Sequence, residues 1–271
     1  MASEMTQLYQ GQGPIEVKPA AGVWEGPDPT DLAEQVEFFK KNGFVILRNV
    51  LGQDELTQLD SELNRLARNH ETLPRVREGF DLEPNQDPDR DVPTFRKIGG
   101  ITDMSDAFNQ LLRHPRIMEV GHAIMGPEIH LHRDVVMMKP AKVGREKPWH
   151  QDSVYWPWTP MRLVSAMTAL DDSTPENGCL QIVPGTHVKE VQHFGKELQI
   201  EMDDAMQAKT LYAPLKAGDT LLFHSLILHA SEPNHSDRDR RVCIFSYKPA
   251  DLEFIRDGEP PEPILVSKKA D

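Results

Sequence analysis

The sequence predicts a mainly β protein with flanking helices, of the α+β class, built around an antiparallel sandwich or jelly roll. Three observations carry this expectation. After Gly126 the chain breaks into short apolar runs bounded by turn residues: IHLHRDVVMMK, RLVSAMTAL, CLQIVPG, KTLYAPL, DTLLFHSLILH and RRVCIFSYK, the texture of strands. No helical pattern separates those runs, which disfavours a parallel sheet with crossover helices. Helix-period stripes are confined to the part of the chain before Gly126.

In chain order, residues 1–29 read as an extended N-terminal arm. Between Gln10 and Pro29 this arm is rich in Gly and Pro without a period, so it is not expected to fold by itself. Thr30 is the expected N-cap of a helix through DLAEQVEFFKK, where Leu32, Val36 and Phe39 share a face, and Asn42-Gly43 stops it before the strand FVILRNV. A second helix carries Leu56, Leu59, Leu63 and Leu66 on one stripe, and two more follow from Ser105 and near His114, ending at Gly126. Residues 30–271 are therefore read as one domain with helical support from 30–126. Glu176-Asn177-Gly178 marks a tight hairpin among the strands. The Pro-rich tail DGEPPEPILVSKKAD is expected to wrap the surface.

Composition bounds the function. The chain has 271 residues, enough for one sizeable core, and 43 acidic against 30 basic side chains give a formal charge of −13. No Lys/Arg run is long enough to neutralise a phosphate backbone, so no nucleic-acid partner is expected. Two cysteines, Cys179 and Cys243, are too few for a disulfide framework and point to a reducing, cytoplasmic setting. The opening MASEMTQLYQ has no apolar stretch like that of a signal peptide, and no segment suits a membrane span. The sequon Asn234-His235-Ser236 is discounted as a glycosylation site on that ground.

The chemistry is carried by PWHQDSVYWPW and by LLFHSLILHASEPNHSDRDRR. Residues two apart on an extended segment point to one side, so His150 and Asp152 can present an imidazole and a carboxylate to one ion while Gln151 faces away. His229 can complete the set if its strand pairs nearby. Two imidazoles and one carboxylate with open positions suit non-haem Fe(II), although Zn(II) accepts the same donors. Arg240 offers a permanently charged planar fork for a carboxylate. Because Arg240 and Arg241 are adjacent on a strand, only one of them can face the interior, and the other should meet solvent or an acidic neighbour. His224 is read as lying on the opposite face of a continuous strand from His229, hence as structural. His130 and His132 form an HxH without a glutamate at the spacing a cupin site would need. Met137 and Met138 read as packing residues. Tyr155, Trp156 and Trp158 fit a substrate wall or ordinary core equally well.

WHQD, then ENGCLQIVPGTH, then GDTLLFHSLILHASEPNHSDRDRR resemble, in order and spacing, the phytanoyl-CoA dioxygenase family of Fe(II)/2-oxoglutarate oxygenases, with similarity from about Phe38 to Tyr247. The resemblance implies a double-stranded β-helix, the jelly-roll variant related to cupins. It implies that His150, Asp152 and His229 bind iron, that Arg240 binds the distal carboxylate of 2-oxoglutarate, and that Ser231 assists it. Lys97 in FRKIGGI resembles a cosubstrate-contacting lysine of relatives, although a surface position suits it as well. Met167 stands where several relatives have a tryptophan beside the cosubstrate. Fe(II), 2-oxoglutarate and O2 are the implied cofactor and cosubstrates. The implied reaction is hydroxylation of an unactivated C–H bond in a small organic molecule, releasing succinate and CO2. Asp152 argues against halogenation, since halogenating relatives lack that carboxylate. Two other classes compete: a non-catalytic cupin-like binding module, and a zinc hydrolase using the same three ligands.

Overall fold

The computed structural model describes residues 16–73, 79–84, 86, 90–193 and 198–269. The first fifteen residues of the expected arm lie outside them. In chain order the elements are β1 (Gly22–Val23), α1 (Leu32–Asn42), β2 (Phe44–Leu47), α2 (Gln53–Arg68), β3 (Phe80–Leu82), β4 (Phe95–Gly99), α3 (Ile101–Met104), α4 (Asp106–Leu112), α5 (Pro115–Met125), β5 (Glu128–Lys139) and β6 (Lys147–His150). They continue with β7 (Trp158–Thr159), β8 (Val164–Ala169), β9 (Leu180–Val183), α6 (Asp204–Gln207), β10 (Leu211–Ala213), β11 (Thr220–His224), β12 (Leu228–Ser231), β13 (Arg240–Pro249), β14 (Glu253–Phe254) and β15 (Ile264–Lys268).

Two sheets face each other as a double-stranded β-helix. The minor sheet runs β1-β10-β9-β12-β6, and the major sheet runs β2-β11-β8-β13-β5-β4-β3 with β15 also on β5. All of their pairings are antiparallel except that of β1 with β10. One core layer lies between the sheets, from Phe44, Ile46, Met167, Ile182, Leu221 and Phe223. A second lies between the outer face of the major sheet and the helices, from Val45, Leu47, Leu63, Phe108, Ile117 and Phe245. Strand alternation feeds both layers. That is why all four residues of β2 are buried and the strand reads as a continuous apolar run.

The helices form for local reasons. The side chain of Asp31 caps α1, accepting from Ala33 N at 2.9 Å and Glu34 N at 3.2 Å. Asp31 takes the place expected of Thr30, since its carboxylate also complements the positive end of the helix. Gly43 ends α1 at φ 81°, its N–H donating to Phe39 O at 2.7 Å. On α2 the stripe of Leu59, Leu63 and Leu66 is buried, and each leucine taken out of water contributes about 1.5–3 kcal/mol. The helix from Ser105 and the helix near His114 are α4 and α5, with Ser105 and His114 at their N-caps and Gly126 closing α5.

Three expectations need correction. DTLLFHSLILH is two strands: after β11 the chain turns at Ser225, which donates through its N–H to Leu163 O at 2.9 Å, and crosses to the other sheet as β12. No Gly, Pro or Asn announces that turn, so the run reads as continuous. His224 and His229 therefore belong to different sheets rather than to opposite faces of one strand. The turn at Glu176-Asn177-Gly178 is not a hairpin within a sheet, because it leads from β8 in the major sheet to β9 in the minor one. The first half also contributes β3 and β4, whose short segments carry no alternation long enough to be read.

The arm is extended, as expected. β1 adds a parallel strand to β10, and Trp24 packs edge-on against Phe38 and Phe44 with ring centroids 5.4 Å apart in each case. The tail does more than wrap the surface, since β15 pairs with the start of β5.

Candidate active site

His229 and His150 are direct partners in the antiparallel register of β12 and β6. Their ring centroids are 4.1 Å apart. Asp152, at the start of a 3-10 turn spanning Asp152–Tyr155, places Oδ1 3.5 Å from His150 Nε2 and 3.7 Å from His229 Nε2. One donor atom from each of the three lies within 4.8 Å of the others, and both imidazoles are buried. Among the described residues this is the one cluster of three or more metal-donor side chains.

Hydrogen bonds set the histidine tautomers. His150 Nδ1 lies 2.8 Å from Pro148 O and His229 Nδ1 lies 3.0 Å from Ile227 O. A carbonyl oxygen only accepts, so each Nδ1 carries the proton and each Nε2 turns its lone pair to the centre. Burial, and next the neighbouring His229, lower the His150 pKa to about 4, which keeps that lone pair free near neutrality. Burial alone would raise the Asp152 carboxyl, whereas charge on His229, then a hydrogen bond from His150, lowers it whenever those rings are protonated. Gln151 faces away, as its position between the two ligands requires. Its amide donates to Lys189 O and Leu226 O and accepts from Val191 N at 2.8 Å, locking the loop behind the triad.

The triad opens into a cavity of about 970 Å³. Alternation on β13 turns Arg240, Val242 and Ile244 to the cavity and Arg241 to the outside. Arg241 there meets Asp171 and Asp60 at 2.7 and 2.6 Å, the acidic neighbours that strand geometry calls for. Arg240 is buried; its Nη2 donates to Gly178 O, while its Nε is buried without a partner. Burial lowers its pKa to about 10. Ser231, two residues beyond His229 on β12, and Met167 on β8 both line the cavity and are buried. Lys97 on β4, opposite Met137, is half-buried and also lines it.

The remaining candidates sort clearly. Tyr155 and Trp156 line the cavity, whereas Trp158 is core with Leu163 and Leu252 and donates its indole N–H to His132 Nδ1 at 3.1 Å. His130 pairs with Glu128 at 3.0 Å, away from the triad. Met137 and Met138 pack in the core and also reach the cavity wall. Asn234 is buried and donates to Lys139 O and Arg238 O, both at 2.8 Å. It organises the loop leading to Arg240 and offers no surface for a glycan. His224 is structural, accepting from Leu226 N at 3.0 Å beside the ring of His187.

Burial first, and His187 second, lower the His224 pKa to about 4. Unfolded, the ring would bind a proton near pH 6.5, so as pH falls from 6.5 towards 4 the unfolded chain takes up a proton that the folded one refuses. Stability is thus present above pH 6.5 and is lost by up to about 1.4 kcal/mol per pH unit across that window. Melting temperatures of the metal-free protein are expected to fall over this range, with a shallower slope in His224→Gln. Parallel slopes for the two proteins would refute this account of His224.

Sequence reasoning missed Lys139, Glu83, Arg96 and Arg145. Lys139 sits opposite Arg240 in the β5–β13 register, its Nζ donating to Arg145 O and Glu232 O. Burial, and next Arg240, push its pKa well down. Among the described residues the lining carries seven Lys and Arg against five Asp and Glu, although the chain as a whole is at −13. Nothing in the linear sequence groups these side chains.

The donors fit a divalent metal: two imidazole nitrogens and one carboxylate oxygen converge at the cavity. The unpartnered Nε of Arg240 fits a carboxylate inside the same cavity. The sequence model of the family described as phytanoyl-CoA dioxygenase (PhyH) matches residues 39–242. The peroxisomal phytanoyl-CoA dioxygenase of Mus musculus is 27% identical over 239 residues, covering 82% of this chain and 70% of its own. The ectoine dioxygenase of Bordetella parapertussis is 26% identical over 237 residues, covering 79% and 74%. The crystal structure of EctD from S. alaskensis with 2-oxoglutarate and 5-hydroxyectoine superposes with a TM-score of 0.70 at 22% identity, covering 95% of this chain and 91% of that one.

Proposed function

The chain belongs to the phytanoyl-CoA dioxygenase family, and from that premise we propose that His150, Asp152 and His229 hold ferrous iron while Arg240 anchors the distal carboxylate of 2-oxoglutarate. The enzyme is an Fe(II)- and 2-oxoglutarate-dependent dioxygenase, using O2 as its other cosubstrate. The observation that carries the residue assignment is the register pairing of His229 with His150, with both Nε2 atoms turned to Asp152.

Bound iron supplies the oxidative decarboxylation of 2-oxoglutarate to succinate and CO2 and the oxidant for a substrate C–H bond. The protein's part is placement. The carbonyls of Pro148 and Ile227 fix the two imidazoles, so the ligands do not have to reorganise on binding. Arg240, held on one side by Gly178 O, presents its remaining N–H groups to a carboxylate. Lys139 stands opposite it in the β5–β13 register, and Ser231 lies along the same wall. Lys97 and Met167 border this space, and we assign them contact with the cosubstrate. The floor formed by Met167, Phe223, Val242 and Ile244 keeps water from the deep end and strengthens every charge interaction there.

We assign the substrate to small organic molecules, hydroxylated at an unactivated C–H bond, and place the enzyme in the cytoplasm as one catalytic unit over residues 30–271. No described helix is long and apolar enough to cross a membrane. Cys179 and Cys243 are buried free thiols, which a reducing compartment preserves.

The test is succinate release from 2-oxoglutarate under air with iron and ascorbate, and the expected result is turnover above a metal-free control. No release above that control would favour a non-catalytic binding module. Activity with zinc in the absence of oxygen would favour a hydrolase, a reading in which the buried unpartnered Nε of Arg240 has no use.

A further inference from the structure

Glu83 follows β3, and its N–H donates to Thr94 O at 2.9 Å. Its side chain is only 1% exposed, it lines the same cavity as the triad, and among the described residues neither carboxylate oxygen has a hydrogen-bond partner. Leaving a buried carboxylate unpaired is costly, and such groups persist mainly where a ligand completes them. Among the described residues its ion-pair neighbours are Arg145, with Nη2 3.7 Å from Oε1, and Arg96, with Nε 4.0 Å from Oε2. Both separations exceed the roughly 2.7–2.9 Å of a charge-assisted hydrogen bond. The guanidinium side chains are 42% and 49% exposed for Arg96 and Arg145, and both line the cavity. Neither makes a side-chain hydrogen bond among the described residues. One end of the cavity therefore presents a buried carboxylate without a hydrogen bond and, within 4.0 Å of it, two half-exposed guanidinium groups.

We propose that Glu83, Arg96 and Arg145 form the substrate-recognition end of this cavity and take a small zwitterion bearing both a free amino group and a free carboxylate, such as an α-amino acid. The inference rests on the reading of the cavity as an oxygenase site. Charge complementarity decides the class. A simple amine would satisfy Glu83 but be repelled by two guanidinium groups, and a simple acid would satisfy the arginines but meet the carboxylate. A zwitterion donates its ammonium hydrogens to Glu83 and accepts at its carboxylate from Arg96 and Arg145, completing all three groups at once. A cavity of about 970 Å³ lies at the upper end of the range for small-molecule sites and has room for 2-oxoglutarate and a second small molecule.

The experiment is calorimetric titration of the iron- and 2-oxoglutarate-loaded protein, without oxygen, with the common L-amino acids, their N-acetyl derivatives and their carboxamides. At least one free amino acid is expected to bind, with both blocked forms weaker by about tenfold or more. Glu83→Gln should weaken the free amino acid by a similar factor, and Arg145→Gln should erase its advantage over the carboxamide. The melting temperature of Glu83→Gln is read beside its affinity, because Glu83 also lies within ion-pair range of both arginines. Three outcomes would overturn the proposal: no amino acid binds, the blocked forms bind equally well, or Glu83→Gln lowers the melting temperature without changing affinity, which would make Glu83 a structural partner of the arginines. Succinate formed by the parent protein without any amino acid, as uncoupled turnover, separates the two readings. If that is present while binding fails, the zwitterion proposal alone falls; if it is absent, the oxygenase assignment falls.

Discussion

Replacing His229 with alanine is expected to abolish both iron retention and succinate formation. The imidazole supplies one of three converging donors, and among the described residues no fourth His, Cys, Asp or Glu joins that cluster. Loss of a partner that merely orients a metal ligand costs about 10–100-fold, and loss of the ligand itself should exceed the top of that range. The control is His224→Gln. His224 lies in the other sheet, hydrogen-bonded to Leu226 N, and its replacement should leave iron stoichiometry unchanged. Metal analysis after desalting, read beside succinate release, checks both. A His229→Ala protein that keeps one equivalent of iron and turns over normally would remove this residue from the metal site.

Replacing Arg240 with methionine is expected to act on 2-oxoglutarate rather than on iron. Truncating one partner of a buried, hydrogen-bonded charge pair costs about 2–5 kcal/mol, which corresponds to roughly 30-fold to several thousand-fold in affinity. The effect should appear mainly in KM for 2-oxoglutarate, with iron stoichiometry intact. Arg240→Lys should recover little, because an ammonium cannot reproduce a fork already engaged with Gly178 O. Stability should move the other way. In the metal-free protein Arg240 is a buried cation with an unpartnered Nε, so Arg240→Met should melt no lower than the parent. Arg241→Met gives the mirror image: its hydrogen bonds to Asp171, then those to Asp60, raise its pKa, so removing it should lower the melting temperature and leave KM alone. Equal KM effects at the two positions would show that strand alternation does not divide their roles as described.

Much of this was legible from local pattern. The stripe of Leu59, Leu63 and Leu66 announced α2, and the apolar runs announced β5, β8, β9, β10 and β13, because amphipathic period is written along the chain itself. The spacing of His150 and Asp152 showed a pair able to face one ion, and the adjacency of Arg240 and Arg241 showed that one must turn inward. Other features left no such trace. The break between β11 and β12 falls inside the apolar run SLIL, where turn and strand have the same composition. Lys139 looks like any strand-ending lysine until β5 pairs with β13. Glu83 sits among charged residues and reads as solvated, yet it is almost fully buried.

By itself the sequence determined which side chains have donor chemistry, the period of each segment, and the face to which neighbouring residues on one strand turn, since these depend only on residue type and backbone geometry. The tertiary structure alone decided that His229 stands opposite His150, that Arg240 stands opposite Lys139, and that Glu83 shares a cavity with both pairs. Strand register is a relation between segments far apart in the chain. It is set by how two buried faces fit and how their backbone hydrogen bonds align, and no stretch of residues taken alone contains it.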